Sequence, residues 1–254
     1  MAKSGLIKTQ AEIEIIAEGG KILHDILAQT AALVKPGIST GELNQFAEKL
    51  IYQAGGRPSF KNYGPRNNPF PAGLCTSIND VVVHGIPSQS AILKTGDIVG
   101  LDIGMEYKEL YTDHAVTMAV GEVSAVAKKL METTKKCLNL AIKVAGPGKK
   151  TGDIGYIIQK TAEEAGFSAV RDLVGHGVGY DVHEEPAVPC FGKKNTGDLL
   201  KPGMVIAIEP MLNNGEYFVE SDSDGWTIRT ADGSLSAHFE HTVAITENGA
   251  RILT

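Results

Sequence analysis

The sequence predicts a protein of the α+β class. Segments with helical periodicity and strand-like runs follow one another in the order helix, sheet, helix, sheet. The 254 residues are 43% hydrophobic and 21% charged, which is ordinary for a soluble globular protein, and no low-complexity segment interrupts them. A chain of this length can bury a sizeable core, in one large domain or two small ones.

Composition also restricts the function. The net charge of -6 disfavours nucleic acid and anionic membranes as main partners, because both reward clustered basic residues. The start, MAKSGLIKTQAEIEII, lacks the apolar core of a signal peptide, and no segment approaches the roughly 18 apolar residues of a membrane span. Cys75, Cys137 and Cys190 are few and far apart, which is typical of reduced thiols. We therefore expect a cytoplasmic protein.

Two helices open the chain. The first is expected over residues 9–34, with Thr9 as N-cap and Glu12 completing a capping box. The second is expected over residues 40–54, where one residue of the Ser39-Thr40 pair supplies the cap and two glycines end the helix.

A long loop is predicted next, at residues 57–74, which are rich in Pro, Gly and Asn. Strand-like runs and two more helices follow, the second helix capped by Thr151. The strands are predicted at 75–80, 81–86, 97–105, 204–212, 226–231 and 236–246, and the helices at 123–145 and 151–166.

Acidic residues interrupt these apolar strands. A hairpin centred on Tyr107-Lys108 would make Asp102 and Asp113 direct cross-strand neighbours, with Cβ atoms roughly 5 Å apart. Such a buried carboxylate pair is costly unless a cation or a shared proton relieves the repulsion. The alternative is a different turn centre, with one of the two acids facing solvent.

Further ligand types occur later in the chain. Glu209 and Glu240 also interrupt apolar strands, although a single strand-end glutamate is usually solvated. His176 stands among glycines in residues 173–186, a segment that looks too irregular for a helix and too polar for a core strand. Four carboxylates with one imidazole suit a pair of Mn, Fe, Co or Zn ions about 3–4 Å apart.

Five motifs now carry a family resemblance. VVVHGIP, LDIGMEYKELYTDHAVT, GHGVGYDVHEEP, IAIEPM and SLSAHFEHTVAIT, in this order, closely resemble the type I methionine aminopeptidases. The resemblance covers nearly the whole chain. It implies a pita-bread fold in which two pseudo-symmetric halves of one catalytic domain, residues 1–254, enclose a dinuclear metal site.

The resemblance assigns roles to the metal ligands. It implies that Asp102 holds one ion, that Asp113 and Glu240 bridge both ions, and that His176 and Glu209 complete the other. Metal-activated water would attack the first peptide bond, with Glu209 as the proton shuttle.

The resemblance also implies a substrate site. His84 and His183 would donate hydrogen bonds to the substrate and to the developing oxyanion. The methionine side chain would occupy an apolar pocket. That pocket would be built from Phe60, Tyr63, Phe70, Cys75 and Trp226. His24 is expected at the surface or in packing, and His114, His238 and His241 are expected to support the ligands or the fold.

The implied substrates are the N-termini of nascent polypeptides, including those at the ribosome, with a small second residue. A monomer is expected. The chain differs from many relatives at Gly104, where Thr is common, at His114, where a small hydroxyl residue is common, and at Val182, where Phe is frequent. The loop over residues 63–70 is longer than usual. These departures concern metal affinity and pocket shape.

Two other functions stay open. One is cleavage of Xaa-Pro bonds on the same fold, although such relatives usually carry an additional N-terminal domain. The other is a binding module that kept the fold and lost the metals. A dinucleotide site, an HExxH zinc site and a serine hydrolase are disfavoured because their motifs are incomplete.

Overall fold

The computed structural model describes residues 7–254 and confirms the α+β class. The helices in this range are α1 (Gln10–Ala31), α2 (Thr40–Gln53), α3 (Ala125–Val144) and α4 (Thr151–Glu164). The strands of the first half are β1 (Arg57–Pro58), β2 (Leu74–Ile78), β3 (Val81–Val83), β4 (Ile98–Tyr107) and β5 (Leu110–Ala119). Those of the second half are β6 (Ser168–Ala169), β7 (Val174–Gly177), β8 (Glu184–Pro189), β9 (Val205–Ile208), β10 (Met211–Asn213), β11 (Val219–Ser221), β12 (Ile228–Thr230), β13 (Ser236–His238), β14 (Glu240–Thr246) and β15 (Gly249–Ile252).

A nine-stranded antiparallel sheet organises the molecule. Its main path runs β1-β4-β5-β14-β9-β7-β8, with β2 beside β4 and β15 beside β14. Two three-stranded sheets, β13-β10-β6 and β11-β12-β3, accompany it. The central pairing of β5 with β14 joins strands from the two halves of the chain.

Each half buries its own apolar core. Helices α1 and α2 pack on β2, β4 and β5, around fully buried residues such as Leu23, Leu43 and Leu101. Helices α3 and α4 pack on each other and on β8 and β13, around residues such as Leu130 and Ile154. No helix within residues 7–254 is long and apolar enough to cross a membrane.

The first two helices begin as predicted. The Thr9 side chain accepts the Glu12 N–H, and the Glu12 carboxylate accepts the Thr9 N–H, so the capping box is present. Helix α1 ends at Ala31 rather than at residue 34, because the chain tightens there: the N–H groups of Leu33 and Val34 donate three residues back, to Thr30 O and Ala31 O. Of the two candidate caps of α2, Ser39 is the one used.

The start of α4 differs from the prediction. Thr151 is the first helical residue and not the cap, which is Lys150. The Lys150 N–H donates to Asp153 Oδ2 at 2.8 Å, so a carboxylate inside the first turn satisfies the backbone. Helix α3 is capped by Ser124, whose hydroxyl accepts the Ala127 N–H at 3.1 Å.

The register of the β4–β5 hairpin is also different. Tyr107 pairs with Leu110, which moves the turn to Lys108-Glu109, and both turn residues have positive φ (51° and 64°). Two consecutive positive φ values are typical of a type I′ turn, whose twist matches that of the strands. Asp102 therefore pairs with Ala115 and Asp113 with Gly104, so the prediction of direct pairing was wrong.

The two acids nevertheless share a face. Moving the turn centre by one residue changes every pairing by two positions, and side chains two positions apart point the same way. Asp102 and Asp113 become diagonal neighbours instead of direct ones. The physical consequence that motivated the prediction, two carboxylates held close together, is preserved.

Other predicted segments divide or extend. The apolar runs 204–212 and 236–246 each form two strands, separated at Glu209-Pro210 and at Phe239. The predicted loop 57–74 contains the short strand β1 at its start, and its last residue opens β2.

The segment that contains His176 is a strand, which the sequence interpretation missed. Strand β7 lies between β8 and β9 in the large sheet. Two glycines allow β7 to fit between these strands. A Cβ on Gly175 would lie 2.5 Å from Ala207 O, and a Cβ on Gly177 would lie 2.2 Å from Glu185 O. The neighbouring backbones approach too closely for any side chain at these positions.

Candidate metal centre and substrate cavity

One cavity of ≈ 170 Å³ contains all of the residues proposed for the site. Its polar lining consists of His84, Asp102, Asp113, His176, His183, Glu209 and Glu240. Its apolar lining includes Phe60, Tyr63, Phe70, Cys75 and Trp226. It also includes four residues that the sequence analysis missed, Val83, Leu173, Val174 and Met211. Each of these four lies within three residues of a candidate polar group, which is the signal that would have identified them.

Five adjacent strands supply the five candidate ligands. Asp102 lies on β4, Asp113 on β5, Glu240 at the start of β14, Glu209 directly after β9, and His176 on β7. These strands are consecutive in the sheet. The antiparallel sheet therefore collects ligands that are far apart in sequence onto one face.

The ligand atoms lie close together. His176 Nε2 is 3.5 Å from Glu209 Oε1 and 3.9 Å from Asp113 Oδ2. One ligand atom each from Asp113, His176 and Glu240 lies within 4.8 Å of the other two. His176 Nδ1 contacts Gly177 O at 2.9 Å, which orients the ring and leaves Nε2 facing the carboxylates.

Burial of these carboxyl groups changes their ionisation. The pKa of Asp102 is raised to about 6, first by burial and then by the charge of Glu209. The pKa values of Asp113 and Glu240 are raised well above their ordinary range, again by burial first and then by neighbouring carboxylates. Burial and mutual repulsion oppose the ionisation of these three acids, and a nearby cation is the kind of group that relieves such repulsion.

The unpaired oxygens are consistent with a divalent cation. Asp102 Oδ1 and Glu240 Oε1 are buried and have no hydrogen-bond partner among residues 7–254. Buried polar atoms are nearly always satisfied, so these two oxygens need a ligand. Carboxylate oxygens with one imidazole nitrogen are donors that Mn, Fe, Co and Zn all accept. The residues present therefore fit a metal site.

Glu209 behaves differently from the other acids. Burial opposes its ionisation, but contact with His238 lowers its pKa below the ordinary value. His238 Nε2 lies 3.3 Å from Glu209 Oε2, close enough for an ion pair although not aligned as a hydrogen bond. Glu209 is thus the acid in this cluster that stays ionised most easily.

Two histidines line the cavity in neutral form. Burial lowers the pKa of His84, and burial together with His176 lowers the pKa of His183 to about 4, although part of the His183 side chain reaches solvent. Neutral imidazoles are therefore the forms present near pH 7. His84 has a φ of 58°, an uncommon backbone conformation for a residue with a side chain, and such strain often marks functional positions.

The apolar part of the cavity is closed by aromatic contacts. The rings of Phe70 and Trp226 meet edge to face with 5.3 Å between centroids. Trp226 Nε1 donates to Asn68 O at 2.9 Å, which ties the tryptophan to the 63–70 loop. Phe60 and Cys75 are buried in the same cluster.

Comparisons with known proteins identify the family. Residues 14–247 match metallopeptidase family M24. The chain is 46% identical over 249 residues to methionine aminopeptidase 1 of Bacillus subtilis, covering 98% of both chains. It is 48% identical over 252 residues to a methionine aminopeptidase of Aquifex aeolicus, covering 97% of both. The chain belongs to the methionine aminopeptidases of family M24.

A solved structure extends the comparison to the fold. The crystal structure of a methionine aminopeptidase from Thermotoga maritima superposes with a TM-score of 0.94 at 43% identity, and the match covers 98% of each chain. The expected pita-bread fold of a methionine aminopeptidase is confirmed. The family consists of metallohydrolases that remove N-terminal methionine, which agrees with a cavity that joins clustered acids to an apolar pocket.

Two residues that the sequence analysis expects to differ from many relatives, Gly104 and His114, have defined surroundings in the structure. A Cβ on Gly104 would lie 2.2 Å from Ser59 Oγ and 2.6 Å from Phe60 Cε1, so the glycine makes room for the Phe60 ring. His114 lies behind the ligands, where its Nδ1 contacts Glu240 O at 2.6 Å.

The histidine at position 114 also joins a stack. Its ring lies between those of His24 and His241, with centroid distances of 5.3 Å and 4.6 Å. His24 is exposed on α1, as expected, yet its Nδ1 reaches His114 Nε2 at 3.2 Å. Val182, the third residue expected to differ from relatives, is buried in the same apolar cluster as Phe60 and Cys75.

Proposed function

We propose that this protein removes the N-terminal methionine from polypeptides whose second residue is small, by attack of metal-activated water on the first peptide bond. One observation carries the proposal. Five adjacent strands bring Asp102, Asp113, Glu240, Glu209 and His176 to a cavity that continues into an apolar pocket. Clustered acids beside an apolar pocket can hold metal ions next to the peptide bond that follows an apolar side chain, as a metal-dependent aminopeptidase for such a residue needs.

Two divalent ions are proposed as cofactors. Asp102 would hold one ion, Asp113 and Glu240 would bridge both, and His176 with Glu209 would complete the other. The unpaired Asp102 and Glu240 oxygens support this assignment. When bound, the ions supply Lewis acidity that lowers the pKa of water and polarises the scissile carbonyl. Mn, Fe, Co and Zn all accept carboxylate and imidazole ligands, so each is compatible with the site. Which of them binds then depends on availability.

Glu209 is proposed to move the proton. Its lowered pKa keeps it ionised, so it can accept a proton from the attacking water and pass it to the leaving amine. His238 supports the ionised form by its contact with the second carboxylate oxygen.

The two neutral histidines are proposed to bind the substrate. An imidazole N–H from His84 or His183 can donate to the substrate carbonyl and to the oxyanion that develops from it. Because neither ring is protonated near pH 7, each keeps one nitrogen as a donor and one as an acceptor. A contact at the acceptor nitrogen can then orient the donor nitrogen toward the substrate.

The pocket lined by Phe60, Tyr63, Phe70, Cys75 and Trp226 is proposed to hold the methionine side chain. Its lining is apolar and includes a thiol whose pKa is raised well above its ordinary value, chiefly by burial. An unbranched thioether packs well in such surroundings. Nascent polypeptides in the cytoplasm, at the ribosome, are the proposed substrates, and a monomer is the proposed form.

A panel of tripeptides tests the proposal. After metal reconstitution, kcat/KM is compared for Met-Ala-Ser, Met-Leu-Ser, Lys-Ala-Ser and Ala-Pro-Ser, with EDTA as the control. We expect Met-Ala-Ser to be cleaved fastest and activity to disappear with EDTA. Norleucine should replace methionine, because an apolar pocket discriminates one methylene by only about 1–3 kcal/mol. Faster cleavage of Ala-Pro-Ser would instead favour a peptidase for Xaa-Pro bonds.

A further inference from the structure

A buried ion pair links the start of the described chain to the substrate cavity. Lys8 Nζ lies 2.5 Å from Glu184 Oε2, and the two side chains are 1% and 12% exposed. Lysine is almost never this buried unless it is paired. Glu184 directly follows His183 in the chain, so the pair contacts the backbone beside a residue of the cavity.

Glu184 in turn holds a turn of the backbone. Residues 178–183, here termed the histidine turn, connect β7 to β8 and end at His183. Glu184 Oε1 accepts the N–H of Tyr180 and, at 2.9 Å, the N–H of Asp181. One carboxylate therefore binds Lys8 through one oxygen and the histidine turn through the other.

The Lys8 side chain also lies against the turn itself. A Cβ on Gly179, whose φ is 137°, would lie 2.6 Å from Lys8 Cε, so the absence of a side chain there makes room for the lysine. Lys8 Nζ lies 4.8 Å from the centre of the Tyr180 ring. The backbone at Lys8 is held as well, because its N–H donates to Gly203 O at 2.8 Å.

We propose that Lys8 is a positioning residue for the reaction: through Glu184 it fixes the histidine turn so that His183 faces the substrate. The inference rests on the proposed function of His183. Removing one partner of a buried ion pair leaves the other charge uncompensated, so Glu184 would turn toward water and release the two N–H groups. The imidazole would then lose its fixed position, and small misplacements of a contact group can slow a reaction about 10²-fold.

The variant Lys8→Met tests this role, since it keeps the length of the side chain and removes its charge. Lys108→Met is the matched control, because the Lys108–Glu18 pair is likewise a lysine–glutamate contact, at 2.7 Å, but is about half exposed on both sides (52% and 49%). For Lys8→Met we expect kcat on Met-Ala-Ser to fall on the order of 10- to 100-fold, with a smaller change in KM. Lys8→Arg should recover most of the activity, and Lys108→Met should behave as wild type.

Amide hydrogen exchange in the metal-free protein supplies a readout that does not depend on activity. Exchange at Tyr180 and Asp181 should become faster in Lys8→Met and stay unchanged in Lys108→Met. A lower melting temperature with unchanged kcat and unchanged exchange at these two amides would overturn the proposal. If Lys8→Met does not fold, Glu184→Gln is measured with the same expectations. A wild-type protein without aminopeptidase activity would contradict the proposed function, while the exchange experiment would still decide whether Lys8 holds the turn.

Discussion

His183 Nδ1 lies 2.8 Å from the hydroxyl oxygen of Tyr63. The histidine belongs to the second half of the chain and the tyrosine to the 63–70 loop of the first, so the contact joins the halves at the cavity. Because Nδ1 is engaged by the phenol, Nε2 is the nitrogen that is left for the substrate. The Tyr63 hydroxyl therefore selects how the imidazole is presented.

Replacement of Tyr63 by Phe tests this relationship. A single hydrogen bond contributes about 0.5–1.5 kcal/mol, so we expect kcat/KM for Met-Ala-Ser to fall roughly 2- to 10-fold in Tyr63→Phe. The ring and its packing in the apolar pocket are kept. Tyr52→Phe is the control, because Tyr52 is exposed outside this cavity. Equal kcat/KM in wild type and Tyr63→Phe would show that the contact does not orient His183.

Glu209→Gln should remove most of the activity and leave the fold intact. The change keeps the volume of the side chain but removes the charge that accepts the proton, and losing acid–base assistance costs on the order of 10²-fold or more in turnover. Circular dichroism checks the fold and calorimetry checks metal binding. Glu216→Gln, at an exposed position outside the cavity, serves as the control. A variant that binds metal normally and keeps near wild-type turnover would exclude Glu209 as the shuttle.

Alanine variants of His176 and His183 should differ in their effect on metal binding. His176→Ala removes a ligand, so metal affinity should fall, whereas His183→Ala should retain affinity and mainly lower kcat. The centroids of the two rings lie only 4.3 Å apart, so a difference between the variants reports the role of each histidine and not its place in the cavity. If calorimetry finds equal loss of metal in both variants, the two roles have been assigned to the wrong residues.

Metal binding should depend on pH through the buried acids. The carboxyl groups of Asp102, Asp113 and Glu240 have raised pKa values, about 6 for Asp102, and must lose their protons to bind a cation. Affinity should therefore fall as the pH drops toward and below 6, and binding near pH 6 should release protons. Titration calorimetry in two buffers of different ionisation enthalpy measures this release. Binding without proton release at pH 6 would contradict the raised pKa values.

The same shifts predict how the metal-free protein responds to pH. An acid whose pKa is higher in the folded state binds more protons folded than unfolded, so its contribution to stability declines as the pH rises between the two values. For Asp102 this window lies between its ordinary 3.8 and about 6. We expect the melting temperature of the metal-free wild type, measured relative to that of metal-free Asp102→Asn, to decline across this range, because the difference isolates the contribution of Asp102 from that of the buried histidines. An increase of this difference across the window would contradict the prediction.

The sequence determined the identity of the local elements and the chemistry of the site. Helical periodicity, the capping box of α1 and the cap of α2 depend on residues a few positions apart, and these predictions were confirmed. The acids that interrupt apolar strands were also visible, because a carboxylate in a buried position needs a partner wherever the chain folds.

Tertiary structure decided the pairings. The turn of the β4–β5 hairpin moved by one residue, since the twist of the strands favours positive φ at Lys108-Glu109 over the predicted centre. Strand β7 was not recognised, because glycines carry no apolar pattern and their role appears only when neighbouring backbones approach them. The contact between Lys8 and Glu184 joins residues 176 positions apart, and no local pattern encodes a separation of that kind. Short-range preferences are encoded by neighbours in the chain, whereas register and distant contacts depend on the packing of the whole sheet.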